Sequence, residues 1–201
     1  MLERIRTTLR DRARLQPALS RVSSAIATLS SADCFEKNAE RTSRFLFVVG
    51  CGRSGNTLLR RLMIESFDIY VPPETYVLPN QIRDYCSGRK RSWPERVDAL
   101  AAALENHATF ADFRVADLDE FRAEAKAWPE SAQSFADLIT GLYAWIGKRQ
   151  GIDANWVGDK TPAYTMELGL LHWAFPRAKF VYLERDPVDV VQSYLEAGLY
   201  G

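Results

Sequence analysis

The chain has 201 residues, 47% of them apolar, and its 26 basic and 26 acidic residues cancel. That length closes one core of ordinary size and leaves little room for a second full domain. The even charge removes any global field that would call for nucleic acid or an acidic membrane, so a charged ligand must be held by local groups.

Residues 1–21 are rich in arginine (Arg4, Arg6, Arg10, Arg12, Arg14, Arg21), with Leu2, Ile5, Leu9 and Leu15 at loosely helical spacing. They read as a solvated helix packing one edge on the domain, with a peripheral membrane or targeting role as the alternative. Residues 1–43 are expected to form an N-terminal helical extension. No apolar run approaches the roughly 18 residues of a bilayer span, and the first residues lack the apolar centre of a secretory signal, so no integral membrane segment is expected. Cys34, Cys51 and Cys86 have neither metal-ligand spacing nor the density of a disulfide scaffold. They favour a reducing compartment, with the cytoplasm as the expected location.

The apolar, aromatic and β-branched run over 44–49 stops at glycines and predicts a strand buried on both faces. It is followed by Gly50-Cys51-Gly52-Arg53-Ser54-Gly55-Asn56-Thr57, then by Leu58, Leu59, Leu62 and Met63 at helical spacing: strand, glycine loop, helix. A short strand over 69–71 meets Pro72-Pro73, which cannot continue a central ladder, and Glu74 lies just past its end. Helical patterns fill 92–150: Ser92 caps and Pro94 opens a helix through Leu104, and a second helix covers 134–149. A third strand over 155–157 ends in Gly158-Asp159-Lys160-Thr161-Pro162, with a helix over 163–174. A fourth over 179–183 ends in Glu184-Arg185-Asp186-Pro187, where Asp186 caps a helix that Pro187 opens.

Strands alternating with helices predict an α/β fold: three layers, a mostly parallel sheet with helices on both faces, and a helical insertion over about 92–150. In such a sheet the carboxyl ends of the strands share one edge, where ligands bind. Arg53, Glu74, Lys160 and Arg185 each follow a different strand, so topology brings all four to that edge.

Glycines between a strand and a helix let the backbone approach an anion, and the first N–H groups of the helix attract it. A nucleoside triphosphatase needs G-x-x-x-x-G-K-[ST]; here Asn56 stands at the lysine position. Gly50, Gly52 and Gly55 also match G-x-G-x-x-G, with Glu74 near the distance of a ribose-binding acid, which keeps a dinucleotide-binding oxidoreductase open. That reading leaves Lys160 and Arg185 idle.

A third reading uses all of these residues. The loop Arg53-Ser54-Gly55-Asn56-Thr57-Leu58 resembles the 5′-phosphosulfate loop of the sulfotransferase family. These enzymes have a P-loop-like nucleotide-binding fold and use 3′-phosphoadenosine 5′-phosphosulfate. The likeness extends to Pro73-Glu74-Thr75, to Gly158-Asp159-Lys160-Thr161-Pro162, and to Arg185-Asp186-Pro187 followed by Ser193. It is greatest to the branch that includes tyrosylprotein sulfotransferases and many bacterial members, whose base is a glutamate.

The resemblance implies that Arg53, Ser54, Gly55, Asn56 and Thr57 hold the 5′-phosphosulfate, while Arg185 and Ser193 hold the 3′-phosphate. It implies Glu74 as general base towards an acceptor hydroxyl, and Lys160 at the bridging oxygen, with Arg53 also stabilising the moving group. Asp159 is a candidate to orient Lys160. No metal is called for, because a sulfuryl group in flight carries less negative charge than a phosphoryl group. His107 and His172 read as packed or surface residues. Two departures stand out: Asn56 replaces the family's usual threonine or serine, and the stop at Gly201 reads as a C-terminal truncation that would leave a non-catalytic nucleotide-binding remnant as a further alternative.

Overall fold

The computed structural model describes residues 37–86 and 91–198; the helix expected over 1–21 and Cys34 lie outside the described residues. Four strands, β1 (Phe45–Gly50), β2 (Ile69–Tyr70), β3 (Trp156–Lys160) and β4 (Lys179–Leu183), form one parallel sheet in the order β2-β3-β1-β4. The expected α/β architecture with helices on both faces is present.

β1 is buried along its whole length because both faces are covered. Phe45, Phe47 and Val49 face the larger core, where Phe45 stacks on Phe175 at 4.9 Å and Phe47 on Phe180 at 5.2 Å between ring centroids. Leu46 and Val48 point the other way, to Met63 and Leu59 of the helix Asn56–Ser66. Each such side chain contributes about 1.5–3 kcal/mol by leaving water. The strand's position in mid-sheet therefore follows from an unbroken apolar run, where an alternating one would leave a face wet.

β3 is longer than its sequence suggests. Gly158, Asp159 and Lys160, expected beyond the strand, pair with Leu46, Phe47 and Val48 of β1. Glycine and charged residues are weak strand formers, but the neighbouring β1 supplies backbone partners along their whole length. Gly158 is tight against β1, since a Cβ there would lie 2.8 Å from the Leu46 carbonyl oxygen.

The helical insertion runs from Leu78–Cys86 through Trp93–Glu105 and Asp119–Lys126 to Phe135–Arg149, so it starts earlier than the expected boundary near 92. The sequence reading has no counterpart for Leu78–Cys86, whose Pro79 sits in the first turn, where a missing N–H costs nothing. The caps predicted at Ser92 and Asp186 are in place, and Ser134 caps a further helix. Ser92 donates its backbone N–H to Glu95 at 2.7 Å, Ser134 accepts from the Asp137 N–H at 3.2 Å, and Asp186 accepts from the Val188 N–H at 2.8 Å. The helix expected over 163–174 is split into a 3-10 turn, Pro162–Glu167, and a helix, Leu168–Ala174. Trp93, Phe110, Phe113, Trp128, Tyr143 and Trp145 all belong to the core or pack against it. Among the described residues no helix is long and apolar enough to cross a membrane.

Candidate active site

The loop after β1 begins at Gly50, whose φ of 139° and contact with β4 leave no room for a side chain: a Cβ would lie 2.2 Å from the Leu183 carbonyl oxygen. The Thr165 hydroxyl accepts the Gly50 N–H at 2.7 Å and ties the loop's start to the turn after β3. Arg53 and Gly55 take the left-handed conformation, with φ of 65° and 94°, which folds the chain back onto the first turn of the helix Asn56–Ser66. Gly55 is that helix's N-cap and offers no side-chain acceptor, so the first-turn N–H groups face the loop uncapped. The Ser54 hydroxyl is buried there with no partner. An uncapped helix end and an unpartnered buried donor are the features from which an anion site can be built.

Asn56 has a different task from its neighbours. Its amide donates to the Cys51 carbonyl at 2.7 Å and braces the loop from within. Thr57 is exposed in the first helical turn. Cys51 itself is a free, exposed thiol. Further along the helix, the Arg60 Nε donates to the carbonyls of Val71 and Pro72 at 2.7 and 3.0 Å, which fixes the strand end leading to Glu74.

Lys160, the last residue of β3, is 4% exposed, and its ammonium pairs with Glu74 Oε1. The other carboxylate oxygen, Oε2, accepts from the Tyr76 hydroxyl. Two residues expected from separate strand ends thus meet at the same edge as the anion loop. Tyr76 is not foreseen by the sequence reading, nor is the position of His107, whose ring stacks on Tyr76 with centroids 5.7 Å apart. His172, by contrast, is exposed and meets Phe180 edge-on, a packing role as expected.

Asp159 does not orient Lys160 by contact, because adjacent strand residues point to opposite faces. It is fully buried on the other side, where Oδ2 accepts from Tyr143 at 2.6 Å and Thr75 at 2.7 Å, and Oδ1 accepts from Thr161 at 2.7 Å. Thr161 in turn accepts the Thr75 N–H at 3.1 Å, and Tyr164 lies 2.8 Å from the Thr75 hydroxyl while accepting the Leu78 N–H at 3.0 Å. What Asp159 positions is Thr75, and through it the neighbouring Glu74. Burial pushes the Asp159 carboxyl above its ordinary value, against the pull of Tyr143, Thr161, Thr75 and Lys160. Burial also raises Tyr143 and Tyr164 well above the usual phenol range, so both keep their protons as donors. Asp159→Ala strands three buried hydroxyls without an acceptor and is expected to cost about 3 kcal/mol. In urea unfolding that appears as a lower midpoint at unchanged slope.

Arg53 and Ser193, assigned to opposite ends of the donor, are joined: the Arg53 Nε donates to Ser193 Oγ at 3.1 Å. Arg185 donates to the Arg53 carbonyl at 3.2 Å and pairs with Asp189 at 3.6 Å. All three lie where the helix Pro187–Glu196 passes the loop, and Tyr194 closes this contact, its hydroxyl 2.1 Å from where a Cβ on Gly52 would stand. Among the described residues no group of three or more His, Cys, Asp or Glu side chains could hold a metal ion.

No solved structure matches the chain. The chain is 30% identical over 148 residues to nodulation protein NoeE of Sinorhizobium fredii, an alignment covering 73% of this chain and 30% of that protein, so the chain spans less than a third of that relative's length. The model of the sulfotransferase family matches residues 46–198, which include the anion loop, Glu74, Lys160, Arg185 and Ser193. The chain belongs to the sulfotransferase family.

Proposed function

We propose that this chain transfers a sulfuryl group from 3′-phosphoadenosine 5′-phosphosulfate to an acceptor hydroxyl, with residues 44–201 as the working domain, 1–43 as its helical extension, and the cytoplasm as its location. The observation that carries this reading is the Lys160–Glu74 pair at the sheet edge that also holds the uncapped helix end. The residues fit an anionic donor: the buried Ser54 hydroxyl lacks a partner, and Arg53, Lys160 and Arg185 supply positive charge around it.

In this reading Ser54, Gly55, Asn56 and Thr57 wrap the 5′-phosphosulfate, and the guanidinium of Arg53 offers its planar fork to the oxygens. Arg185 and Ser193 take the 3′-phosphate. Glu74 removes the acceptor proton as the acceptor oxygen bonds to sulfur, and Lys160 neutralises the charge left on the departing phosphate oxygen. The ammonium must then shift its allegiance from Glu74 to the donor, which frees the carboxylate at the moment it is needed as a base.

Binding is tested with the product nucleotide, 3′-phosphoadenosine 5′-phosphate. At a concentration 100 times its Kd, it is expected to raise the melting temperature by about 5–10 °C. NAD and ATP at the same concentration are expected to do less. A clear shift with NAD and none with the bisphosphate would overturn the reading in favour of a dinucleotide enzyme. A shift with the bisphosphate but no sulfate transfer to any hydroxyl would favour a non-catalytic binder.

A further inference from the structure

Tyr76 occupies an unusual place beside the base. It is 43% exposed, yet its φ of 55° puts an aromatic residue in the left-handed region, a strained choice away from glycine. Its hydroxyl donates to Glu74 Oε2, the oxygen left over by Lys160. The ring is backed by His107, nearly parallel at 16°. His107 is held in turn by Thr109, with Nδ1 2.9 Å from the Thr109 hydroxyl, which donates to the Glu74 carbonyl at 3.1 Å. Nδ1 also accepts the Thr109 backbone N–H at 3.3 Å, so the imidazole is held by two groups of one residue. Backbone strain, a ring stack and a clamp on the base's own main chain all hold one phenol on one carboxylate.

The order of groups is that of the reaction. A cation stands at one carboxylate oxygen and a hydroxyl at the other, as leaving-group partner, base and nucleophile would be arranged around sulfur. Resting on the sulfuryl-transfer reading above, we propose that Tyr76 is a modification site: with no outside acceptor bound, its phenol oxygen takes the sulfuryl group. A bond forms between the Tyr76 oxygen and sulfur as the bond from sulfur to the 5′-phosphate oxygen breaks. The phenolic proton passes to Glu74, and the electron pair stays on the phosphate oxygen facing Lys160. The products are O-sulfotyrosine at position 76 and 3′-phosphoadenosine 5′-phosphate. Partial burial, the bond to Glu74 and the charges of Glu74, Tyr194 and Asp159 push the phenol up to about 12, so its proton stays in place until the base removes it.

The test has one readout without donor and one with it. In protein labelled at the tyrosine ring carbon bearing oxygen, Glu74→Gln is expected to lower the pH at which Tyr76 titrates, because a neighbouring negative charge is gone while Lys160, His107, Tyr194 and Asp159 remain. An unchanged titration would show that the contact is not made and would end the proposal. Incubation with 3′-phosphoadenosine 5′-phosphosulfate alone, followed by peptide mass mapping, is expected to place one sulfuryl group on Tyr76. Tyr76→Phe removes that mass, and Glu74→Gln slows its appearance about 100-fold or more. An unmodified Tyr76 in protein that sulfates p-nitrophenol would sink this proposal alone. Failure to bind the bisphosphate product or to transfer to any hydroxyl would sink the function reading with it.

Discussion

Glu74→Gln is expected to slow sulfuryl transfer by about 10²–10⁴-fold, the usual contribution of a positioned general base. The amide keeps the shape of the carboxylate: its oxygen can still accept from Lys160, while its NH2 group can donate to the Tyr76 oxygen, so the loop and the strand end stay where they are. What it loses is the capacity to take a proton as the acceptor oxygen attacks. Affinity for 3′-phosphoadenosine 5′-phosphate, measured by calorimetry, should change by no more than about twofold, because no donor contact is assigned to this side chain. A variant that turns over at the unaltered rate would remove Glu74 from its role.

Lys160→Ala is expected to lower kcat by about 10²–10³-fold, with kcat/KM falling in step, the pattern of a contact made only in the transition state. Lys160 is 4% exposed and lies at the end of a central strand, so the field of its ammonium is weakly screened by water. Removing it also leaves the Glu74 carboxylate with Tyr76 alone at its oxygens, which holds the base less firmly. Lys160→Arg should not restore the rate: the planar guanidinium is too large for a slot that encloses a slim alkyl stem. Steady-state kinetics with donor and acceptor varied in turn separate the effects. A kcat within about threefold of the unaltered protein would exclude the leaving-group role.

The sequence speaks most clearly where local chemistry alone decides the outcome. β1 and β4 are legible because aliphatic and aromatic runs end at glycine or proline, and the helices at Ser92, Ser134 and Asp186 because a short polar cap precedes an apolar pattern. The anion loop is legible for the same reason: its glycines, its arginine and the helix behind it are contiguous. Lys160 and Glu74 were placed at one edge by topology, although Lys160 proves to be a strand residue rather than part of the following loop. Tyr76, His107, Thr109, Thr165 and Tyr194 carry no such local mark. They reach the site through tertiary contacts, such as Thr109 with Glu74, between segments far apart in the chain. Asp159 shows the same limit in reverse: its neighbour in sequence suggested a partner, while the alternation of a strand sends its side chain to Thr75 and Tyr143 on the opposite face.

That opposite-facing cluster has a mechanical consequence. The proposed base stands on an irregular stretch of chain, where positional drift is the rule, yet the residue beside it is moored to an inaccessible carboxylate by its hydroxyl and, through Thr161, by its amide. Glu74 therefore travels with the protein's interior and not with its rim. Remodelling the outer wall to admit a differently shaped alcohol can proceed around it without disturbing the spacing on which proton removal depends.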